Sequence, residues 1–458
     1  MTWSSREGLT PAWSGPLPRN QRMETMPPDH RSPSSSPPTR GQLLAWVFYD
    51  WAHSAYTTIV LTFVYAAFFS RAIAPDETTG TAWWGYAVGF AGFLVAVGGP
   101  VLGAIADQSG RRKPWIAVFT GLCVVATACL WFVAPGPEAV AAALALVVVA
   151  TLGSDFASIF YNAMLPDLAP GQRVGRLSGW GWAVGYVGGL SCLVAVLFGF
   201  VRPEEPLFGA DREAGGHIRA AMVFTAAWFG LFALPMLLFT PDRPSAAKPV
   251  RQALRDGLGQ LADSLRHLRR HGTVFRFLLA RMIYVDGLAT TFAMGGVFAA
   301  GAFGMTEEKI LLFGITLNVT AGLGAMGFAW IDDWIGGKRT IAIGLVGLIV
   351  PGTMMLLADS EAAFWAWGAV LGIFVGPVQA ASRSYLSRLA PEHLRTQFFG
   401  LYALSGKATA FAGPLLVGWI TAVSGSQRLG MSTIIVLFAA GLALVLTLPR
   451  ADGSGKPG

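Results

Sequence analysis

The sequence predicts an all-α membrane protein with twelve transmembrane helices arranged as two pseudo-symmetric six-helix bundles. Two observations support this prediction. The chain of 458 residues is 53% hydrophobic and only 13% charged, whereas charged residues make up about a quarter of a typical soluble domain. Its apolar runs reach the roughly 20 residues that a helix needs to cross the hydrocarbon core, and one long polar break divides them into six and six.

Each apolar run is assigned to one membrane-spanning helix. The first six are predicted at 46–73, 81–106, 114–133, 137–161, 177–201 and 218–240. The second six are predicted at 274–303, 308–331, 340–358, 361–386, 396–424 and 428–448. They form an N-terminal bundle over 41–240 and a C-terminal bundle over 274–449.

Three segments lie outside the predicted bundles. Residues 1–40 contain eight prolines and are expected to form a disordered cytoplasmic tail, and residues 450–458 form a short C-terminal tail. The break at 241–273 is interpreted as a cytoplasmic linker, in which apolar residues recur every three or four positions at Val250, Leu254, Leu258, Leu261, Leu265 and Leu268. Arginines lie between them, which predicts an amphipathic helix on the membrane surface. The same pattern is also typical of calmodulin-like or nucleic-acid targets, which the membrane context disfavours.

Basic residues predict the orientation of the chain. Of the 33 Lys and Arg residues, 24 fall in tails and loops on the side of the N-terminus and six fall in loops on the other side. Lys and Arg are enriched in cytoplasmic loops, so both termini are predicted to be cytoplasmic. Since the basic residues flank the membrane, the net charge of +7 is not taken as a sign of a nucleic acid partner.

An internal duplication supports two related halves. Leu168-Ala-Pro170 recurs as Leu389-Ala-Pro391, and two of the glycines that follow it recur at the same offset along the chain. Asp107-x-x-Gly110 is echoed by Asp333-x-x-Gly336 at a slightly larger offset, and adjacent basic residues follow both. Parallel repeats of this kind are typical of transporter halves.

The loop between the second and third predicted helices carries the motif Gly103-Ala-Ile-Ala-Asp107-Gln-Ser-Gly110-Arg-Arg-Lys113. Glycines allow a tight turn, and the carboxylate can accept backbone N–H groups at a helix start. The motif resembles the signature loop of the major facilitator superfamily, which implies that fold and a latch to the start of the eleventh helix, near Thr396. Position 108, usually basic in the superfamily, is Gln here, which implies a weaker latch. The resemblance assigns a cytoplasmic gate to Gly103, Asp107, Gly110, Arg111, Arg112 and Lys113.

Other stretches resemble a narrower branch of that superfamily, which contains the fungal vacuolar effluxers linked to autophagy and their bacterial relatives. The matching stretches include 49–56, 160–163, 181–189, 379–384 and 398–402. The resemblance covers residues 42–448 and implies efflux of amino acids. Position 53 is commonly Asn in that branch and is His here.

Two opposite charges are predicted near the middle of the membrane. Asp286 and Lys407 each lie about eleven residues into a predicted helix, which at 1.5 Å per residue places both ~16 Å deep in a ~30 Å core. Charges at this depth usually face a cavity. We therefore hypothesise an Asp286–Lys407 ion pair whose making and breaking accompanies substrate or proton binding. The alternative is a static pair that holds two helices together.

The other polar residues within the spans are assigned together with their alternatives. Asp50 is expected either to contact Arg383 near the gate or to take part in substrate or proton binding, and Asp155 is expected to be structural. His53 can titrate near physiological pH, although a lone His in a helix is more often a hydrogen-bonding residue. Aromatic side chains either line the cavity or pack. The substrate or proton candidates are Asp286, Lys407, Asp50, His53, Tyr56, Tyr186 and Gln379, and the gate candidates also include Asp155, Asp333 and Arg383.

The predicted function is secondary active transport of a small solute by alternating access of the two bundles about a midplane site. The sequence contains no nucleotide-binding loop and no metalloprotease or serine-hydrolase motif, so neither a cofactor nor enzymatic activity is expected. The alternatives are efflux of hydrophobic compounds and a membrane sensor that binds a solute without moving it. The expected partners are the solute, the lipid bilayer and protons. The expected form is a monomer in a bacterial cytoplasmic membrane.

Overall fold

The computed structural model describes residues 38–449 apart from 170–172, 204, 208–210, 213–214, 306, 408, 411 and 245–271, within which only Gly259 is described. The predicted linker helix, the C-terminal tail and nearly all of the N-terminal tail lie outside the described residues. The part of the chain that is described forms helices and connections and contains no strand.

The helices follow the predicted pattern of two halves. The first half contains α1 Arg40–Ile73, α2 Glu77–Ser109, α3 Lys113–Cys129, α4 Val140–Leu168, α5 Val174–Val196 and α6 Gly216–Phe239. The second half contains α7 Gly272–Phe303, α8 Glu307–Ile335, α9 Gly337–Leu357, α10 Glu361–Leu389, α11 Arg395–Lys407, α12 Ala412–Ser424 and α13 Gln427–Leu446. Eleven helices among the described residues are long and apolar enough to span a membrane, and the predicted fold class is confirmed.

The eleventh predicted span is broken, so the prediction of one continuous helix over 396–424 is wrong. Helix α11 ends at Lys407 and α12 begins at Ala412. Pro414 is the third residue of α12. A proline is tolerated in the first turn of a helix, but in a helix interior it removes a hydrogen bond and clashes with the preceding turn. The break therefore places Pro414 where its missing N–H group has no effect.

Helix α1 begins before the predicted residue 46 because a capping box extends it. Gln42 N donates a hydrogen bond to Thr39 Oγ1 at 3.3 Å, and Thr39 N donates one to Gln42 Oε1 at 2.8 Å. Each bond satisfies an N–H group that the start of a helix otherwise leaves free. The helix consequently extends back to Arg40.

In both Asp-x-x-Gly motifs a glycine with positive φ follows the end of a helix. Gly110 follows α2 with φ of 80°, and Gly336 follows α8 with φ of 86°. Glycine adopts positive φ without the steric cost that a Cβ atom imposes. The positive φ therefore explains why glycine recurs at both positions, although the ψ angles differ, at −46° for Gly110 and 153° for Gly336.

Each half packs its own helices, and two helix pairs make the most extensive contacts between the halves. In the first half α1 packs on α5 and α6, and in the second half α10 packs on α8 and α9. Between the halves, α2 packs on α11 and α5 packs on α8. Glycines permit this approach, because a Cβ atom on Gly400 would lie 2.4 Å from Gly99 O, and one on Gly179 would lie 2.5 Å from Ala329 Cβ.

These close approaches lie toward the end of the molecule that carries the connections 110–112, 336 and 390–394, which we call the closed end. Farther from that end on α2, a Cβ atom on Gly85 or Gly89 would have no neighbour within 4 Å. The outside of the bundle is apolar, as a lipid environment requires. On α3, for example, Val118, Leu122 and Val125 are exposed at helical spacing.

Candidate functional site

A cavity of about 780 Å³ lies between the two halves. Its lining begins at Asp50 of α1 and Arg383 of α10, toward the closed end, and extends to Thr62 and Phe364 near the opposite end. The first half contributes mainly polar residues, which include His53, Ser54, Thr57, Thr58, Ser158 and Asn162. The second half contributes mainly apolar residues, which include Phe298, Ile310, Phe313, Leu317, Met355 and Ile434. The cavity is therefore amphipathic, with its charged groups toward the closed end.

Asp107 joins the two halves at the closed end. Its carboxylate accepts hydrogen bonds from Thr396 N at 3.1 Å, Thr396 Oγ1 at 2.6 Å and Gln397 N at 3.0 Å. A carboxylate at a helix N-terminus satisfies free N–H groups and is stabilised by the helix dipole. Gly103 belongs to the same contact, since a Cβ atom there would lie 2.5 Å from Thr396 O. This is the contact that the resemblance implied.

The basic residues that follow Gly110, at positions 111–113, have different surroundings. Arg112 is buried, and it donates to Thr396 Oγ1 at 3.0 Å, Ala163 O at 2.8 Å and Asp167 Oδ2 at 2.6 Å. Lys113 Nζ donates to Thr240 O at 2.8 Å, within the first half. Arg111 is exposed. Arg112 thus contacts the second half through Thr396.

Asp333 of the second half is the counterpart of Asp107 and lies against the first half. The carboxylate of Asp333 lies near the start of α5, where Arg176 Nε is 3.4 Å from its Oδ2 atom. Gly175 and Arg176 correspond to Thr396 and Gln397, because the offset between them along the chain equals that between the two Leu-Ala-Pro repeats. Thr396 and Gln397 are the residues that Asp107 contacts. Each half therefore places a loop carboxylate on a helix start of the other half.

Two further carboxylates at the closed end were missed by the sequence analysis. Asp167 contacts Arg112, Arg243 and Arg395, and Asp332 accepts from Arg388 at 2.9 Å. Asp167 and Arg388 each immediately precede a Leu-Ala-Pro repeat. The ion pairs of Asp167 and the ion pair of Asp332 with Arg388 therefore lie at corresponding positions of the two halves. The sequence feature that could have predicted these ion pairs is the charged residue immediately before both repeats.

Arg383 of α10 is inserted into the first half. Its Nε donates to Ser178 Oγ at 2.9 Å and its Nη2 to Ser178 O at 2.6 Å, while its Nη1 contacts Asp50 Oδ2 at 3.2 Å and Asn162 Oδ1 at 3.1 Å. The guanidinium carbon lies 5.3–6.0 Å from the ring centroids of three aromatic side chains. We call its six surrounding residues the Arg383 socket: Trp46, Asp50, Tyr161, Asn162, Ser178 and Trp182. The contact of Asp50 with Arg383, one of the two sequence alternatives, is present.

Lys407 is paired with a different carboxylate from the predicted one. Its Nζ contacts Asp155 Oδ2 of α4, so this ion pair joins the two halves. His53 lies beside the pair, with Nε2 at 2.8 Å from Ser154 Oγ. The prediction that Asp155 is structural and the role of His53 remain predictions. The hypothesised Asp286–Lys407 pair is wrong, because helix depth predicts which charges share a level but not which helices are neighbours.

Asp286 instead lies at the break in the eleventh span. Its Oδ1 and Oδ2 atoms accept from Gly413 N at 3.3 and 3.1 Å, and its side chain is buried. Gly413 is in the first turn of α12, where backbone N–H groups have no partner within the helix. The carboxylate therefore stabilises the restart of the helix, a position that a sequence read as one continuous helix does not reveal.

We expect Asp286→Ala to lower the free energy of unfolding by about 1–2 kcal/mol, because it removes the acceptor from the start of α12. Asp286→Asn should lose less, since an amide oxygen can still accept. The measurement is thermal unfolding in detergent, with Asp359→Ala as the control because the Asp359 side chain is exposed. An Asp286→Ala melting temperature equal to that of the control would contradict this role.

The remaining candidates divide between the cavity and the packed interior. Tyr186 and Gln379 line the cavity, and Gln379 Nε2 donates to the Tyr186 hydroxyl at 3.2 Å. Tyr56 is buried within the first half, where its hydroxyl lies 2.9 Å from Thr151 Oγ1. Tyr56 therefore packs and does not line the cavity. Among the described residues, no group of three His, Cys, Asp or Glu residues could hold a metal ion.

Two family models match the chain. The one described as vacuole effluxer Atg22 like matches residues 169–456, and that of the Major Facilitator Superfamily matches residues 15–192. The uncharacterized MFS-type transporter YxiO of Bacillus subtilis is 28% identical over 89% of this chain and 94% of its own. Autophagy-related protein 22-1 of Penicillium rubens is 24% identical over 59% of this chain, which spans about half (48%) of that relative.

Solved structures share the fold. The transporter FucP in the outward conformation superposes with a TM-score of 0.70 at 13% identity, covering 90% of this chain and 98% of that one. The human organic anion transporter MFSD10 superposes with a TM-score of 0.69 at 15% identity, covering 90% and 100%. At these identities the likeness is one of architecture.

Proposed function

The chain belongs to the vacuole effluxer Atg22-like family of major facilitator transporters, and from this premise we propose that it exports a small zwitterionic solute, such as an amino acid, in exchange for protons. The two six-helix halves would rock about the cavity and expose it alternately to the two sides of the membrane. Transport of a small molecule is what the superfamily does, whereas the solute, the direction and the proton are the proposal.

The observation that carries the proposal concerns two of the ion pairs that join the halves, those whose members lie within the membrane-spanning helices rather than at the closed end. Asp50 pairs with Arg383, and Asp155 pairs with Lys407. In each pair the carboxylate belongs to the first half and the cation to the second. Rocking of the halves separates these charges, and an uncompensated charge in a membrane interior is costly. A zwitterion or a proton can compensate them during the exchange.

We infer the orientation from the distribution of charge. The closed end carries Arg112, Lys113, Arg243, Arg388 and Arg395, so we place it at the cytoplasmic face. The cavity then lies on the outer side of the closed end, which fits an exporter after release of its solute.

The apolar wall of the cavity supports a second candidate, which is efflux of hydrophobic compounds. Side chains such as Phe313, Leu317 and Met355 can accept an apolar group of either kind of solute. The two candidates differ in their need for the ion pairs, because a neutral hydrophobic compound compensates no charge.

The test is counterflow of a labelled amino-acid mixture into liposomes that contain the purified protein, with and without an imposed pH gradient. We expect uptake above that of empty liposomes, stimulation by the gradient, and a loss of about tenfold in Lys407→Met because Asp155 is left unpaired. The matched control is Lys309→Met, which removes an exposed lysine paired with Glu361 and is expected to change uptake little.

Three results would contradict the proposal in different ways. Absence of amino-acid uptake by a folded preparation removes amino acids as the solute. Uptake of hydrophobic compounds that is unchanged in Lys407→Met favours the second candidate. Binding of a solute without counterflow identifies a sensor.

A further inference from the structure

The Arg383 socket is built by the first half alone, although its occupant belongs to the second half. Trp46 and Asp50 lie on α1, Tyr161 and Asn162 on α4, and Ser178 and Trp182 on α5, while Arg383 lies on α10. Its side chain is only 3% exposed. All four hydrogen-bonding contacts and all three aromatic contacts described above therefore cross from one half to the other.

Internal contacts hold the socket in place independently of Arg383. The rings of Trp46 and Tyr161 stack at 4.3 Å, and the Tyr161 hydroxyl donates to Asp50 Oδ2 at 2.9 Å and to Trp46 O at 3.1 Å. Gly181 provides the space, since a Cβ atom there would lie 2.4 Å from Asp50 Oδ2 and 2.7 Å from Arg383 Nη2. The socket is thus pre-organised for a flat or compact cation.

The chemistry of the socket is that of an organic-cation site. Aromatic faces attract a cation through their quadrupole, and sites of this kind recognise ammonium groups. Asp50 adds a negative charge, and Ser178 O and Asn162 Oδ1 add neutral acceptors. Asp50, Asn162 and Trp182 also line the cavity. A solute in the cavity would therefore lie next to the socket.

Opening of the closed end withdraws Arg383 from the socket, because Arg383 moves with the second half. The aromatic faces and the Asp50 carboxylate then lose their cation and become accessible. We propose that in this state the Arg383 socket binds the cationic amino or guanidino group of the transported solute. The inference rests on the proposed function, and it assigns to the solute a cationic group as its required feature.

Because the solute and Arg383 bind the same socket, closure of the closed end releases the solute. When the halves close again, Arg383 re-enters the socket and displaces the cation of the solute toward the cavity on the other side. The socket is occupied in turn by the solute and by Arg383, and the same carboxylate is compensated in both states. For a cytoplasmic closed end, the displacement drives the solute outward.

The test uses guanidinium as the probe, at concentrations well below those that unfold proteins. The purified Arg383→Ala protein has an empty socket, so guanidinium chloride should raise its melting temperature saturably relative to sodium chloride. The wild type should not respond in this way, because Arg383 fills the socket. Adding Trp182→Leu to Arg383→Ala should weaken guanidinium binding about tenfold, and adding Asp50→Asn should abolish it.

Controls separate the socket from a general effect of guanidinium. Arg428→Ala removes a partly exposed arginine that donates to Leu356 O and Ala358 O, and this variant should not respond. A saturable response of equal size in Arg428→Ala or in the wild type, or no response in Arg383→Ala, would overturn the proposal. If Arg383→Ala does not yield folded protein, Arg383→Ser is tested in the same way.

A second measurement is made on the wild-type transporter in liposomes. Methylguanidinium added on the side of the closed end should inhibit counterflow, and inhibition should weaken about tenfold in Trp182→Leu. Equal inhibition of both proteins would overturn the proposal. Guanidinium binding without amino-acid transport would refute amino acids as the solute, whereas transport without guanidinium binding would refute the socket.

Discussion

Replacement of Arg383 by methionine is expected to abolish transport and to shift the protein away from the state in which the closed end is sealed. The substitution preserves much of the side-chain volume but leaves Asp50 without its cation in a buried socket. Removal of one partner of a buried ion pair typically costs 3–5 kcal/mol; since Asp50 is partly exposed, we expect about 3 kcal/mol. That corresponds to a shift of roughly a hundredfold toward the state in which the closed end is open and Asp50 is hydrated.

Hydrogen–deuterium exchange measures this shift directly. Backbone amides at the start of α11, over 396–401, should exchange faster in Arg383→Met, because the contacts of Asp107 with Thr396 and Gln397 are lost when the closed end opens. Lys309→Met serves again as the exposed control, with exchange like that of the wild type. Protection at 396–401 that is unchanged in Arg383→Met would show that the socket does not hold the halves together.

The second large effect is expected from Gly103→Ala. A Cβ atom at this position would lie 2.5 Å from Thr396 O and 2.9 Å from Gln397 Cα, and both neighbours are backbone atoms. Neither can rotate away as a side chain would, so α2 and α11 must move apart. Overpacking of this kind typically costs 1–3 kcal/mol. The substitution therefore destabilises the state in which the closed end is sealed and α2 contacts α11. Transport should fall by about tenfold or more.

Gly89 provides the matched control on the same helix. A Cβ atom on Gly89 has no neighbour within 4 Å, so Gly89→Ala should retain transport near the wild-type rate. Counterflow of the two variants at equal protein in liposomes makes the comparison. If both alanine variants were equally active, the close approach of α2 and α11 would not be needed in the cycle.

Several features of this protein were predictable from single residues and their spacing. Apolar runs of membrane length predicted the helices, and the repeated Asp-x-x-Gly and Leu-Ala-Pro motifs predicted two related halves. The contact of Asp107 with the start of α11 was implied by a recognisable loop. The proximity of Asp50 to Arg383 was anticipated because both lie near the same end of their helices.

Other features were missed because they depend on geometry that spacing does not contain. The break before Pro414 was read as part of a continuous apolar run, so the role of Asp286 at Gly413 N was not visible. Tyr56 was a cavity candidate, yet it packs against Thr151 inside the first half. Asp167 was not predicted as a site residue, although its carboxylate pairs with the guanidinium groups of three arginines from different segments.

The sequence by itself determined the class of the protein, the order of its helices and its duplication. These properties follow from length, hydropathy and motif, which are local along the chain. The tertiary structure alone decided that Lys407 pairs with Asp155 rather than Asp286, and that Arg383 enters a socket of the other half. The physical reason is that residues at equal depth can lie on any of several helices, and only the packing of the helices determines which side chains meet.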